Sequence, residues 1–544
     1  MFTAKILRAA VSLTLAIAPV AVSMAADERQ SLEELRNTVI NLLQTLVDQG
    51  VITREKAAQM VKSAQDKAAA DAAAVAKADE GAVRVPYVPQ IVKDEISKQV
   101  AEEVKPAVVA DVVKEAKEEK WGVPGALPDW LTRTRVSGTV LLREEGILYS
   151  GSNVQNVYLN YNAVNSAGGI TAAGANAYLD VNENRYRFRG AARLAIESDI
   201  TDSIKTGMRL STGNTSDLVS PSQTLDGTAP YAFGIDNLYL RLDERNNNRF
   251  PWFTAIGGRF NSPWFSPTDL IFHKQLTFNG MALTGRLGFG DGSAQQSHAF
   301  FTLAAMPIQE IALSAQDKWL YGAQLGTKLR FGDQNLRFAA AIYDYANVQG
   351  RENAPNSTLF NYTAPQFFRT GNSLFNILNN GNSTSQLFAL ASKFRLVNVA
   401  ATYDVPVGRH TLEFTADAVK NMGFNAADVL AVTGQQIAPR VMGYQGEVSF
   451  GDPEVLAAGA WRALIGYRYL ERDAVIDAYT DSDFHFGGTD AKGYYLIGDL
   501  GLAKQLWLRM RYQSSNVIDG PSFNPVNGIT YSVDTVQIDL NSRF

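Results

Sequence analysis

The chain has 544 residues, 50 lysines and arginines against 55 aspartates and glutamates, a net charge of −5 and no cysteine. The missing cysteines exclude disulfide staples, covalent haem attachment and thiolate metal sites, and neither a cofactor nor a nucleic-acid partner is expected. Mean hydropathy is −0.12, which alone would describe a soluble chain unless the membrane is crossed by strands that show lipid only every second residue. With 43 Gly, 21 Tyr, 27 Phe and 19% charged residues, the composition suits many strands and aromatic interfaces better than a large helical enzyme.

Residues 1–25 read as a secretory signal. Lys5 and Arg8 give a positive start, Ala9 to Val22 an apolar run, and Ser23-Met24-Ala25 a small-x-small cleavage site, so the mature chain should begin near Ala26. The run is short of the roughly twenty residues a spanning helix needs, and Pro19 lies inside it. Residues 26–80 then read as helix. Ser31 with Glu34 forms a capping box, and Leu32, Leu35, Val39, Leu42 and Leu46 alternate spacings of three and four, as in a helical hairpin or short coiled coil. A solvated amphipathic helix packed on its neighbour fits the same pattern. Gly50 ends the first helix and Thr53 can cap a second, running to about Ala78. Residues 81–120 read as a linker with Pro86 and Pro89, followed by a charged helix from Ile91 to Lys120 that Pro106 interrupts.

From Arg133 onward the period becomes two. Tyr186, Phe188, Gly190, Ala192, Leu194 and Ile196 alternate with Arg185, Arg187, Arg189, Ala191, Arg193 and Glu197, and Val536, Ile538, Leu540 and Phe544 alternate with Thr535, Gln537, Asp539, Asn541 and Arg543. Tyr186, Phe188, Leu194 and Ile196 should face lipid. Candidate strands fall near 133–145, 185–198, 203–213, 233–243, 252–260, 276–286, 298–306, 320–331, 335–346, 391–405, 410–421, 442–451, 459–471, 493–502, 505–515 and 531–544. Long connections such as 146–184, 347–390 and 472–492 alternate with brief ones such as Asp199 to Ser203, Gly332 to Gln334, Pro406 to Arg409 and Ala503-Lys504. That rhythm predicts an all-β transmembrane fold over 121–544, a barrel of about sixteen antiparallel strands in a bacterial outer membrane with the helices in the periplasm. Phe544, closing an alternating strand, is the type of chain end that the barrel-assembly machinery reads in outer-membrane proteins.

Several runs resemble a known family. Trp121-Gly-Val-Pro124, Leu127-Pro-Asp-Trp130, Arg209-Leu-Ser-Thr-Gly213, Trp319-Leu-Tyr-Gly-Ala-Gln324, Tyr343-Asp-Tyr-Ala-Asn347 and above all the stretch from Tyr467 to Phe484, with Asp481-Ser-Asp-Phe484, are similar to the Putative porin family of proteobacterial outer membranes. Asp48 to Glu55 resembles the periplasmic segment of its members, and His273 to Phe278 departs from the family by lacking acidic residues. The resemblance implies a channel in a Gram-negative outer membrane and names no solute.

A barrel of this size leaves a lumen too wide for side chains to fill, so passive diffusion of small hydrophilic solutes or ions needs no catalytic chemistry. The greasy face being outward, Arg187, Arg189, Arg193, Arg209, Arg259, Arg330, Arg462, Arg468, Arg509 and Arg511 should line the pore, with Lys205, Lys328 and Arg337. Unpaired, they would favour anions weakly. Paired with Glu197, Glu413, Asp417, Asp499 and loop acids, they would form a structural lattice. Residues 348–386 are a candidate constriction loop, with an exposed surface loop as the alternative. Asp473, Asp477, Asp481 and Asp483 crowd one loop as hard ligands suited to Ca²⁺, though without the calcium-loop spacing, so no metal is expected. His273, His298, His410 and His485 form no metalloprotease motif. An alternative function is a structural tether joining the membrane to peptidoglycan through residues 26–120. The expected partners are outer-membrane lipid and lipopolysaccharide, the assembly machinery and two further copies in a homotrimer whose seam would run from Leu32 to Leu46.

Overall fold

The computed structural model describes residues 129–544 apart from 214–216, 219–221, 229, 291–295, 313 and 522–530, together with a few positions between 53 and 67. The chain divides into two units, 1–112 and 113–544. In the first, the backbone is helical at 55, 56, 58, 59, 62, 63, 66 and 67, and the Lys56 N–H donates to Thr53 Oγ1 at 3.4 Å. The remaining expectations for residues 1–120, including the signal segment, the Leu32 to Leu46 seam and the Pro-rich linker, lie outside the described residues.

The described part of the second unit starts with one helical turn, α1 (Asp129–Thr132), followed by sixteen long strands. These are β1 (Thr134–Tyr149), β2 (Arg185–Asp199), β3 (Ile204–Thr212), β4 (Phe233–Arg245), β5 (Pro251–Asn261), β6 (Thr277–Gly288), β7 (His298–Gln309) and β8 (Lys318–Phe331). They continue as β9 (Gln334–Ala346), β10 (Phe394–Val407), β11 (His410–Asn421), β12 (Met442–Gly451), β13 (Trp461–Leu470), β14 (Ala491–Ala503), β15 (Leu506–Val517) and β16 (Ser532–Arg543). Every neighbouring pair is antiparallel, and β16 returns to β1 with Arg143 opposite Asp539, so no edge is left. The sheet counts seventeen pieces because the two-residue strand Gln223–Thr224 adds itself to β2; without it sixteen close the barrel.

Each of the sixteen overlaps a strand expected from the sequence, with β1 running on to Tyr149 rather than stopping at 145. One end of the barrel carries tight turns. Gly332 and Gly408 open two-residue turns there at φ +60° and +63°, which glycine adopts without strain. The other end carries the long connections 150–184, 213–232, 262–276, 310–317, 347–393, 422–441, 471–490 and 518–531. Helices α2 (Tyr161–Ala167), α3 (Ile170–Ala173) and α4 (Ala426–Thr433), and a small hairpin of Leu374–Asn376 with Phe388–Leu390, lie in these loops. The outer face is greasy: Tyr186 is 71% exposed, and Phe188, Leu194, Val136, Val140 and Leu142 are exposed beside it. No described helix is long and apolar enough to cross a membrane; the alternating strands supply the apolar face.

Candidate functional site

The lumen is filled unevenly. Loop 262–276 turns inward from β5 and runs along the inner wall. The Phe265 N–H donates to Gln324 Oε1 on β8 at 2.8 Å, Gln324 Nε2 returns a bond to the Phe265 carbonyl at 3.0 Å, and Thr268 Oγ1 donates to Asp417 on β11 at 2.7 Å. Trp264 stacks on Phe272 with centroids 5.3 Å apart, and Phe272 meets Tyr343 edge-on at 5.0 Å. Gly322 makes room, since a Cβ there would stand 2.2 Å from the Trp264 ring. Loops 150–184, 347–393 and 471–490 close over this core. Asn162 exchanges two hydrogen bonds with the Phe368 backbone, both 2.8 Å, and Asn165 two with the Phe388 backbone, at 2.9 and 2.8 Å. The expected constriction segment 348–386 does fold inward, but as one member of a four-loop cluster that includes 262–276, which the sequence did not single out. Its buried apolar side chains pack on the inner faces of β5 to β13 at the loop end, while the charged side chains of the inner wall gather chiefly on β13–β16 and β1–β5.

On that side most of the expected arginines are tied to carboxylates. Glu145 of β1 accepts from Arg187 at 2.9 Å and from Arg189 at 3.4 Å, while Gln537 Nε2 donates to it at 3.0 Å. Arg143 grips Asp539 with two prongs at 2.7 and 2.9 Å and reaches Asp483 at 3.0 Å, where Arg511 also arrives at 3.4 Å. Arg209 holds Asp236, Arg509 holds Asp499 and Arg462 meets Glu413, at 2.7, 2.7 and 2.8 Å. Arg468, 2% exposed, donates to Gln445 at 2.8 Å and lies 3.3 Å from Asp481. Of the acids expected as partners, Glu413 and Asp499 serve, but Glu197 instead accepts from the Tyr239 hydroxyl at 2.6 Å and Asp417 from Thr268 and Asn398. Among the described residues Arg259 bonds only neutral oxygens, the Asp236 carbonyl at 3.1 Å and Asn279 at 3.4 Å, and Arg330 reaches the Gly332 carbonyl at 3.0 Å. Arg193 has no carboxylate within 4.0 Å among the described residues.

Residues 36–544 match the family model described as Putative porin. The chain belongs to that family. No curated protein matches this porin sequence. Solved structures similar to it include OprB of Pseudomonas putida, at 10% identity over 78% of this chain and 97% of that one with a TM-score of 0.43. OmpF of Salmonella typhi shares 11% identity over 76% and 97% with a TM-score of 0.38, and the outer membrane channel DcaP of Acinetobacter baumannii 10% over 76% and 98% with a TM-score of 0.36.

The four aspartates of loop 471–490 act in this porin as clamps. Asp473 accepts from the Ser373 amide and hydroxyl at 2.9 and 2.6 Å, Asp477 from the Arg369 amide at 3.0 Å, and Asp481 from the Asp483 amide at 2.8 Å. Among the described residues no three acidic or histidine side chains converge on one point, so the candidate Ca²⁺ ligands are spread over separate partners. Burial pushes the Asp473 carboxyl up to about 6 and that of Asp477 up to about 7. Burial would raise Asp483 as well, yet the Arg143 and Arg511 guanidiniums hold it well below the usual carboxylate range. Beneath the root of loop 262–276 a niche of about 390 Å³ is lined by Arg209, Tyr239, Arg241, Asn261 and Arg286. Phe544 exchanges backbone hydrogen bonds with Gly138 of β1 at 2.9 and 3.0 Å, so the expected assembly residue sits on the seam where the barrel closes.

Proposed function

We propose that the barrel is a water-filled outer-membrane channel for passive diffusion of small hydrophilic solutes and ions, with its loop end outside and its turn end at the periplasm. The observation that carries this reading is a closed sixteen-strand barrel of the porin family whose inner wall is charged and in part solvent-exposed: Arg187 keeps 23%, Arg193 an intermediate share and Arg509 37% of its side-chain surface. A closed ladder of this size leaves room for water, and fixed charges along the passage then set which ions enter. The ion preference we propose is weakly anionic, and it comes from Arg193 and Arg259, which share only the more distant Asp236, itself bound to Arg209, and have no carboxylate within 4.0 Å among the described residues, rather than from Arg187 and Arg189, which share Glu145. Homotrimer assembly belongs to the same proposal, and native mass measurement in mild detergent tests it. The decisive experiment is conductance of purified, folded protein in planar bilayers under a salt gradient. Discrete steps with a reversal potential on the anion side are expected; folded protein that inserts without conducting would overturn the reading.

A further inference from the structure

On the inner wall near the turn end, one arc departs from the lattice described above. His298 on β7, Lys328 on β8 and Arg337 on β9 stand directly opposite one another in register, which places neighbouring Cβ atoms about 5 Å apart. The like charges of Lys328 and Arg337 repel in direct cross-strand register. Here no carboxylate comes within 4.0 Å of Lys328 or Arg337 among the described residues. Arg286 on β6 extends the arc; its hydrogen bonds go to neutral oxygens, the Pro251 carbonyl at 3.1 Å and the Thr254 hydroxyl at 3.0 Å, while Asp243, bound to Arg241, acts on it from further off. Arg330 follows Lys328 on the same face of β8.

The nearest acids on the wall belong to the next strands. Asp404 on β10 stands opposite Asn335 and Glu413 rather than opposite a cation, and its buried Oδ1 accepts no hydrogen bond. Glu447 on β12 accepts from Gln445 and Tyr495. Asp404 is near enough to act on Lys328 and Arg337 without pairing either within 4.0 Å, so one acid faces several cations. The Arg337 guanidinium lies over the Phe265 ring, 5.0 Å from its centroid, so loop 262–276 holds its flat face while its edge donors take no hydrogen-bond partner among the described residues.

We propose that this arc, Arg286, Lys328 and Arg337 with His298 and Arg330 beside them, binds a small multiply charged oxyanion: inorganic phosphate or the phosphate group of an ester. A guanidinium edge offers paired donors matched to phosphate oxygens, and an ammonium adds a point charge. A singly charged ion would offset only part of the repulsion among several fixed cations. The side chains face the lumen, so the phosphate comes from a passing solute and not from a lipid headgroup. The inference rests on the channel reading for its access route.

The test uses the full-length protein and inorganic phosphate, with chloride at matched ionic strength as reference. Phosphate should raise the melting temperature of the wild type and, added from the turn end, reduce its chloride current. Both effects should weaken about tenfold in concentration for K328Q/R337Q. Asn335→Asp, which places a carboxylate opposite Arg330 without removing a cation, should weaken them too and covers the case in which the double variant does not fold; Lys393→Gln, in an outer loop, should leave them unchanged. A conducting channel whose current and melting ignore phosphate, or respond equally in K328Q/R337Q or N335D, overturns the site and leaves the channel reading intact. Protein that never conducts but shows phosphate-dependent melting lost in the variants overturns the channel reading and supports the site.

Discussion

Arg143 and Asp539, almost four hundred residues apart in the chain, meet in direct register across the strands that close the barrel, with Nε–Oδ1 at 2.7 Å and Nη2–Oδ2 at 2.9 Å. The two side chains keep 9% and 5% of their surface. Arg143 also faces Asp483 and Glu145, at 3.0 and 3.9 Å, acids it shares with Arg511 and with Arg187 and Arg189. Arg143→Met should therefore lower stability by about 3 kcal/mol, since it leaves the buried Asp539 without its ion pair, while Glu145 keeps Arg187 and Arg189 and Asp483 keeps Arg511. Asp539→Asn keeps the hydrogen-bond geometry and should cost less. The midpoint of urea unfolding, followed by the heat-sensitive gel mobility of the folded barrel, measures both.

The same seam ends on Gly138 and Phe544. A Cβ at 138 would stand 2.2 Å from the Phe544 ring, and that ring is the free end of a side chain 63% exposed. Gly138→Ala should thus displace the ring and still give a folded barrel. Deleting Phe544 removes both backbone bonds to Gly138 and the terminal aromatic, and should lower the fraction of chain that reaches the folded, heat-modifiable form in cells at equal synthesis.

The strands were legible because two signals in the sequence reinforce each other: the period of two, as in Arg185 to Glu197, and the alternation of brief and long connections. That pair of signals also put Arg187, Arg189 and Arg193 on the inner face. What stayed hidden is who partners whom. Glu145 sits two residues beyond Arg143 on the same face, and Asp539 was visible on the inner face of the last strand, but their link to Arg187 and Arg143 exists only once β16 and β2 are known to flank β1. The loop cluster was less legible still. Asn162 and Asn165 bind the backbones of Phe368 and Phe388, and a backbone leaves no mark in sequence. The core around Trp264 and Phe272 is built from short apolar runs with no periodicity, and these read as loop.

The buried aspartates of loop 471–490 give the outer cluster a pH dependence. Asp473 and Asp477 carry carboxyls pushed up to about 6 and about 7 by burial, above the ordinary 3.8, so between about pH 4 and 7 the folded loop binds more protons than the opened one. Linkage then makes the packed state most stable at and below pH 4 with respect to these two groups, and it loses that increment as pH rises through 6 to 7. Asp483 acts in the opposite sense: held low by Arg143 and Arg511, it contributes stability above about pH 4 that is lost only under stronger acid. Protease nicking of loops 347–393 and 471–490 should accordingly slow between pH 8 and pH 5. Asp477→Asn should flatten that slope, and a slope unchanged by this substitution would remove Asp477 from the account.

Ion preference should follow the uncancelled cations. Arg187 and Arg189 converge on Glu145, so their charges appear to a passing ion as a cluster of two positives and one negative, further offset by Asp483 and Asp539 across the seam. Arg193 lies four residues beyond Arg189 on β2, toward the turn end, with no carboxylate within 4.0 Å among the described residues, where Arg259 bonds only the Asp236 carbonyl and Asn279. Replacing Arg193 and Arg259 together by glutamine should lower the chloride-to-potassium permeability ratio by about threefold, on the order of one kT of local potential. Glu145→Gln keeps an acceptor for both guanidiniums while removing the charge that cancels them, and should move the ratio the other way by a similar factor. Arg189→Gln alone should change it less than Arg193→Gln, because its loss also frees part of Glu145. Reversal potentials under a tenfold KCl gradient rank the four variants: if Arg189→Gln has the larger effect, or Glu145→Gln leaves the ratio where it was, the paired wall and not the unpaired arginines sets selectivity.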